Sequence, residues 1–562
     1  MPVVEVPLSV LATSFSQFPI ADVIASLPFI GLDIEGRNHT AIRLEYSPNR
    51  PDFSSYVGIV RALKGYLGLE TGLPEYQIKS DNRFRIEIDG SVSSIRPHIQ
   101  ALVAKDTELD SDLIKMLIDM QEDLHMGVCN KRRAASIGLH DLSKIQFPLS
   151  YSTGGPDISF VPLDSNQARS LGEILSSTEI GKKYSYLLRK TNTFPILLDI
   201  QNEVVSFPPI VNSRSTRLDN LSKGIFLEIT AVDPRVADLI IAIFAAALYD
   251  LKFHVYHVVL NEPNGTSSKS PNMSPMSVSS RFTEINRCLG TKLPQEEIVR
   301  AAAYSRLGTR VSSNGKLTCF VPKYRNDVRQ VRDLVEEVMI GLGISKLSPT
   351  FPDVNVTGGR HPYSVLIDKI KEVLIGLGLL EIRNFVIVSS SMQFDSMGLK
   401  ADESSLFKIE NSLISGHDIL RNSLLPSLVD TIGHNIHSPY PQNLFEIGKV
   451  FTKGEPETEK WHLCVVLAHN KADYTSIKSI LQSFMTAAFG KGVVTRPMAF
   501  GGEYTNGRSA SIIVEENDVG KIGEISDLVR QNYRIRVPVA AFELELSFFL
   551  NSYKTALFRA SI

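Results

Sequence analysis

Four carboxylates crowd into the segment YRNDVRQVRDLVEEV: Asp327, Asp333, Glu336 and Glu337. Oxygen ligands at that density suit a hard divalent cation such as Mg²⁺. Asp333, Glu336 and Glu337 sit at i, i+3 and i+4, which is one face of a helix. The competing reading is a solvated face, because Leu334, Val335, Val338 and Met339 make an apolar stripe opposite it. A second set lies in CNKRRAASIGLHDL, where Lys131, Arg132 and Arg133 could meet phosphates or form a solvated loop before a strand. His140 and Asp141 adjoin in that strand and point to opposite faces, so they make a poor acid–base pair and His140 reads as structural. The third set is FPPIVNSRSTRL followed by FLEITAVD. Pro208 and Pro209 stiffen a loop carrying Asn212, Ser213, Ser215 and Thr216, which Glu228 and Asp233 could face. Such groups can bind a polar substrate and position a water, or they can be a capped loop. Gly341-x-Gly343 and Gly376-x-Gly378 lack the third glycine and preceding strand of a dinucleotide site, and no P-loop, GxSxG or HExxH occurs.

The elements that must hold these residues follow from periodicity and turn chemistry. A helix is expected from Tyr56 to Leu67, with Ile59, Leu63, Tyr66 and Leu67 at helical spacing. Strand-like runs follow: FRIEID, ALVAKD, AASIGL, FPILLDI and IFLEITAV, then a helix from Pro234 to Leu251 and the strand HVYHVVL. The stretch from Asn261 to Ser280, rich in Ser and Pro, suits a linker or edge segment. Beyond it the pattern reads helix, two-stranded hairpin turning at Asn314-Gly315, and helix, a winged-helix-like unit. Pro349, Pro352, Gly358, Gly359 and Pro362 mark a second joint. The last part opens with a helix from Tyr363 to Ile375, its face made by Leu366, Ile370, Val373 and Leu374. The strands LFEIGKVF, HLCVVLA, SASIIVE, VGKIGEI and AAFELEL then give an antiparallel α+β pattern.

With 562 residues the chain suggests about four domains. Lys plus Arg number 59 and Asp plus Glu 61, a net charge of −2, which excludes a general polyanion binder. Cys129, Cys288, Cys319 and Cys464 lie far apart without CxxC spacing, as expected in a reducing compartment. The start, MPVVEVPLSV, has no basic leader, and the longest apolar run, Leu239 to Tyr249, is about half a membrane span. A cytoplasmic, soluble α+β multidomain protein is expected.

Several segments carry a resemblance. SPNRPDFSSYVGIVRALKGYLGLETGLPEY, CNKRRAASIGLHDLSKI, ISFVPL, VVSFPPIVNS, VPKYRNDVRQVRDLVEEV, ILRNSLLPSLVDTIGHNIHSPYPQNLFEIGKVF and GRSASIIVEENDVGKIGEI occur in this order. Together they resemble the phenylalanyl-tRNA synthetase β subunit of the archaeal and eukaryotic cytosolic type. The resemblance implies a short N-terminal module over 1–80, a tRNA-editing type α/β domain over 81–262, a winged-helix-like metal-binding module over 269–347, and an inactive class II catalytic-like antiparallel α+β domain over 355–562. It implies a ligase subunit that supports ATP-dependent attachment of phenylalanine to tRNA(Phe) by a companion α subunit, in an α2β2 heterotetramer. It further implies Mg²⁺ on Asp327, Asp333, Glu336 and Glu337, shared with the α subunit. Arg421 and Arg508, the arginines in motif-like settings, become structural or interfacial. An editing pocket would use Glu228 to recognise the phenol of mischarged tyrosine, with Asn212, Ser213 and Asp233 lining it and placing a water. An apolar pocket cannot strongly reject an isostere that merely adds a hydroxyl, so a second, hydrolytic site is the chemical remedy. A non-enzymatic binding scaffold and a free-standing editing hydrolase are the alternatives.

Overall fold

The computed structural model describes residues 2–188, 192–313, 315–349, 351, 357–412, 414, 416–454 and 458–550. The chain forms two compact units, 1–351 and 352–562. Both mix helices and sheets, a multidomain α+β architecture.

The first unit is organised by a sheet that has ten strands among the described residues. Its order is Val211–Asn212, Val204–Phe207, Phe194–Leu198, Leu149–Gly154, Lys79–Ile88, His254–Asn261, His98–Lys105, Gly224–Ala231 and Ala135–Asp141, with Ser267–Ser270 added beside His254–Asn261. Lys79–Ile88 runs parallel to both of its neighbours, and the other pairs are antiparallel. The strand GIFLEITA shows why the sheet has two different faces. Successive side chains alternate, so Ile225, Leu227, Ile229 and Ala231 join the core under the helix Pro234–Asp250, while Phe226 joins a second core on the other face. That helix is apolar on nearly every side and is buried from Leu239 to Leu248, as a helix inside a large core must be. Pro234 starts it and the Asp233 carboxylate accepts from the Arg235 amide at its N-terminus.

The expected edge segment from Asn261 to Ser280 contains two edge strands, Ser267–Ser270 and Met276–Arg281, and the latter pairs with Lys316–Val321. Gly308–Val311 completes that small sheet. Asn314 of the expected turn lies outside the described residues; Gly315 takes φ 72°. Helices Gln295–Tyr304 and Val331–Leu342 pack so closely that a Cβ at Gly341 would lie 1.9 Å from the Ala301 carbonyl oxygen. That contact, rather than a nucleotide, explains the glycine.

The second unit has a seven-stranded sheet among its described residues, in the order Leu380–Glu381, Gln442–Thr452, Thr458–Ala468, Val539–Glu545, Asn517–Ile525, Tyr504–Val514 and Val494–Pro497. Pro362–Gly376 and Tyr474–Phe489 cover one face, and Leu425–His434 covers the other. Arg421 is buried there and donates from Nη1 to Glu446 Oε1 at 2.6 Å, while Arg508 lies exposed beside Glu524 at 2.7 Å.

No helix among the described residues is long and apolar enough to cross a membrane. The four cysteines are free. Burial pushes the Cys129 and Cys319 thiols up to about 12 and raises Cys464, whereas Cys288 is exposed. A thiol-specific reagent at pH 8 is therefore expected to modify one cysteine in the folded chain and four after denaturation. A second fast-reacting native thiol would contradict the packing described.

Candidate functional site

Glu228 is a carboxylate set into an otherwise apolar strand. Pairing with Ala135–Asp141 puts it opposite Gly138, with Phe226 opposite His140 and Thr230 opposite Ser136. It is 1% exposed. Ser206 Oγ donates to Glu228 Oε1 at 2.9 Å, while Oε2 is buried with no partner among the described residues. A buried carboxylate oxygen left unpaired is costly, so this atom calls for a donor. His140 Nε2 stands 4.0 Å from Glu228 Oε1, also buried and unpartnered, and Nδ1 lies 2.8 Å from Thr216 Oγ1. Arg96, equally buried, donates to Thr230 Oγ1 at 2.9 Å and to the Thr230 carbonyl at 2.8 Å, adding positive charge two residues from Glu228.

Space for the carboxylate comes from Gly138. A Cβ there would sit 2.4 Å from Glu228 Oε1 and 2.8 Å from His140 Nε2. Gly138→Ala is expected to displace both groups and destabilise the first unit by about 1–3 kcal/mol, read as a lower urea midpoint. An unchanged midpoint would show that the strand pair can spread at no cost.

Glu228, Asn212, Ser206, Arg132, Ile210 and Ile180 line a cavity of about 70 Å³. Asn212 Oδ1 lies 3.1 Å from Ser206 Oγ, so loop and strand meet through one hydroxyl. Ser213 is buried next to the cavity, its Oγ 2.9 Å from Ser215 Oγ. Asp233 is not part of it: its carboxylate caps the helix Pro234–Asp250 and pairs with Arg235 at 2.9 Å. The expectation that Asp233 lines a pocket with Glu228 is thereby corrected. An Asp directly before Pro and a long apolar helix is a cap signature, and that local role wins.

The basic cluster also divides. Asn130, Lys131 and Arg132 take φ of 50°, 53° and 66°, three consecutive non-glycine residues in the left-handed region. Each costs roughly 1–2 kcal/mol. This turn sends Arg132 inward while Lys131 and Arg133 stay exposed. Arg132 Nη1 donates to the Ile210 carbonyl at 2.9 Å, and Nη2 to Glu122 Oε1 at 3.3 Å. Its Nε is buried without a partner among the described residues. Glu122 Oε1 also lies 3.1 Å from His125 Nδ1, and that hydrogen bond, with the charge of Arg132, holds its carboxyl down at about 2. His125 Nε2 accepts from the Ile137 amide at 2.9 Å, so Nδ1 is the nitrogen that donates to Glu122. Reading the three basic residues as one phosphate-facing group misses this, as it misses Ser206 and the approach of His140. The one sequence signal for the approach was Gly138, on the same strand face as His140.

The acidic cluster is arranged around Arg325. This buried guanidinium contacts Asp327 Oδ2 and Glu337 Oε1, each at 2.6 Å. Burial works against ionisation of Asp327, yet Arg325 and then Arg50 hold its carboxyl below the usual range. Asp333 accepts from the Gln330 and Arg329 amides at 2.9 and 2.8 Å, in a capping box. Glu336 is exposed, and its carboxyl is raised by partial burial and then by the charges of Glu337, Asp327 and Asp333. Among the described residues no three His, Cys, Asp or Glu side chains converge closely enough to hold an ion. The donors nevertheless fit a hard cation in type, and at Glu336 the neighbouring carboxylates add to the rise that burial begins. A cation at this face would need further ligands from water or another chain.

Comparison with known proteins covers nearly the whole length. The phenylalanyl tRNA synthetase beta chain CLM domain family matches residues 347–546, and the tRNA synthetase B5 domain family matches 278–344. The phenylalanine–tRNA ligase beta subunit of Archaeoglobus fulgidus is 33% identical over 532 residues, covering 94% of this chain and 95% of its own. Those of Methanothrix thermoacetophila and Methanococcoides burtonii are 32% and 31% identical, each covering 93% of this chain and 96% of the relative. The crystal structure of an N-terminal fragment of the phenylalanyl-tRNA synthetase beta subunit from Pyrococcus horikoshii superposes with a TM-score of 0.58 at 26% identity, covering 60% of this chain and 99% of the fragment.

Proposed function

This chain belongs to the phenylalanine–tRNA ligase β-subunit family, a ligase subunit, and from that premise we propose that it supports charging of tRNA(Phe) by a companion α subunit and hydrolyses Tyr-tRNA in its own first unit. The observation that carries the second half is Glu228, which lines the cavity and whose Oε2 is a buried acceptor with no donor among the described residues. A phenol hydroxyl would donate to it, whereas a phenyl ring would leave it unpaired. Asn212, with Ser213 behind it, would then position the ester and a water. Water adds to the ester carbonyl, the bond to the ribose oxygen breaks, and that oxygen leaves as the tRNA hydroxyl. Tyrosine departs as its carboxylate, and the second proton of the water passes to solvent.

The same reading assigns 1–80 as an N-terminal module, 81–262 as the editing domain, 269–347 as the metal-binding module and 355–562 as a catalytic-like domain that packs rather than reacts. Asp327, Asp333, Glu336 and Glu337 would hold Mg²⁺ at the boundary with the α subunit, in a cytoplasmic α2β2 assembly. A bound Mg²⁺ supplies positive charge that offsets the carboxylate repulsion at Glu336. Chelation is expected to loosen that boundary: at a Mg²⁺ concentration of about 100 times Kd, binding is worth about 2.7 kcal/mol. Sedimentation with and without a chelator reads this, and identical profiles would remove the metal from the account.

The test of the whole proposal is co-expression with the companion α chain, followed by size measurement and a phenylalanine charging assay. Charging by the mixture, with neither chain active alone, is the expected result. A chain that stays monomeric and leaves charging unchanged would point instead to a free hydrolase, or to a binding scaffold if no Tyr-tRNA is hydrolysed.

A further inference from the structure

The exposed halves of the basic turn have a use that the pocket itself does not explain. Lys131 and Arg133 flank the inward-pointing Arg132, so they sit one residue from the cavity wall. Across from them the helix Glu179–Tyr184 contributes Ile180 to the cavity and leaves Lys182 and Lys183 exposed. The two elements meet on a pair of tyrosines. The Arg133 guanidinium lies 5.9 Å from the Tyr186 ring centre, Arg132 lies 4.5 Å from that of Tyr184, and Lys183 lies 5.2 Å from the same ring. Tyr186 is 38% exposed.

Among the described residues, no carboxylate lies within ion-pairing distance of Lys131, Arg133, Lys182 or Lys183. Glu179 opens the helix that carries Lys182 and Lys183 and bridges to neither among the described residues, and Glu122 is already engaged by His125 and Arg132. Four unpaired cations beside exposed aromatic surface form a site for a flexible polyanion with flat bases: phosphates neutralise the charges and a base stacks on the ring. A duplex could use the charges but would have no free base for the ring.

We infer that Lys131, Arg133, Lys182, Lys183 and Tyr186 form a docking rim for the single-stranded 3′ end of tRNA, leading it into the cavity at Glu228. This rests on the hydrolytic reading above and names its RNA-facing surface. The left-handed turn at 130–132 is what allows it, by turning one arginine in and its neighbours out.

The test uses the assembled ligase and two labelled tRNA(Phe) transcripts, one intact and one lacking its last four nucleotides. Binding is measured across a salt series. Lys131→Glu with Arg133→Glu is expected to weaken binding of the intact transcript about tenfold and to lower the log–log salt slope by about 1.4. Tyr186→Ala is expected to weaken it severalfold with the slope unchanged, because stacking releases no counterions. The truncated transcript should bind wild type and variants alike. Equal binding of the intact transcript by all proteins would overturn the rim, as would an equal loss with the truncated one, which would indicate a contact elsewhere on the tRNA. Tyr-tRNA hydrolysis separates the two proposals. If wild type hydrolyses Tyr-tRNA through Glu228 and the charge-reversed variant shows the same KM, the rim fails and the pocket stands. If wild type does not hydrolyse it at all, the pocket reading fails, while the transcript comparison still decides whether the rim holds RNA.

Discussion

Glu228→Ala is expected to slow hydrolysis of Tyr-tRNA by the assembled ligase by about 10²-fold or more, while phenylalanine charging continues in the companion subunit. The size follows from the geometry. The carboxylate is buried, one oxygen is held by Ser206, and the other has no partner among the described residues. A phenol that donates to that free oxygen replaces an unsatisfied acceptor with a charge-assisted hydrogen bond, and sites built in this way discriminate by several orders of magnitude. Glu228→Asp should be intermediate, since losing one methylene draws the oxygens back toward the strand without removing the acceptor. Release rates of labelled tyrosine from Tyr-tRNA(Phe) measure both. Hydrolysis by Glu228→Ala at the wild-type rate would place the chemistry elsewhere.

Arg325→Met is expected to destabilise the first unit by about 3–5 kcal/mol. This arginine is the shared partner of the buried Glu337 and the partly buried Asp327, at 2.6 Å each. Removing it takes the one close cation from Glu337 and leaves Asp327 with only Arg50, at 3.9 Å, in a poorly hydrated site. The loss should therefore come more from the stranded anions than from the missing bonds. Adding Asp327→Asn and Glu337→Gln to Arg325→Met is expected to recover most of it, and urea denaturation of the single and triple variants reads the difference. A triple variant no more stable than the single one would assign the cost to lost packing of the arginine side chain instead.

Much of this architecture was legible in the sequence. The strand GIFLEITA announced its own exception, because a charged residue in an apolar run must either face water or serve a purpose. The helix Pro234–Asp250 was readable from its continuous apolar run, and Val331–Leu342 from its stripe. What escaped were tertiary pairings. The strands Lys79–Ile88 and His254–Asn261 lie side by side although far apart in the chain, and local pattern has no means of pairing them. Arg325 stands two residues before Asp327, yet its bond to Glu337 depends on how the loop folds back over the helix. Arg132 parted from Lys131 and Arg133 because a left-handed turn breaks the alternation that a strand would impose. Asp233 was misplaced for the opposite reason: its role is entirely local, and the Asp-Pro start of a helix already stated it.

The central claim is that a buried, unpartnered carboxylate oxygen reads the hydroxyl that distinguishes tyrosine from phenylalanine. The most direct measurement is hydrolysis by the assembled wild-type ligase of Tyr-tRNA(Phe) and Phe-tRNA(Phe), prepared separately and compared at equal concentration. The account predicts that Tyr-tRNA(Phe) is cleaved at least about 10²-fold faster. Equal rates for the two esters would contradict it.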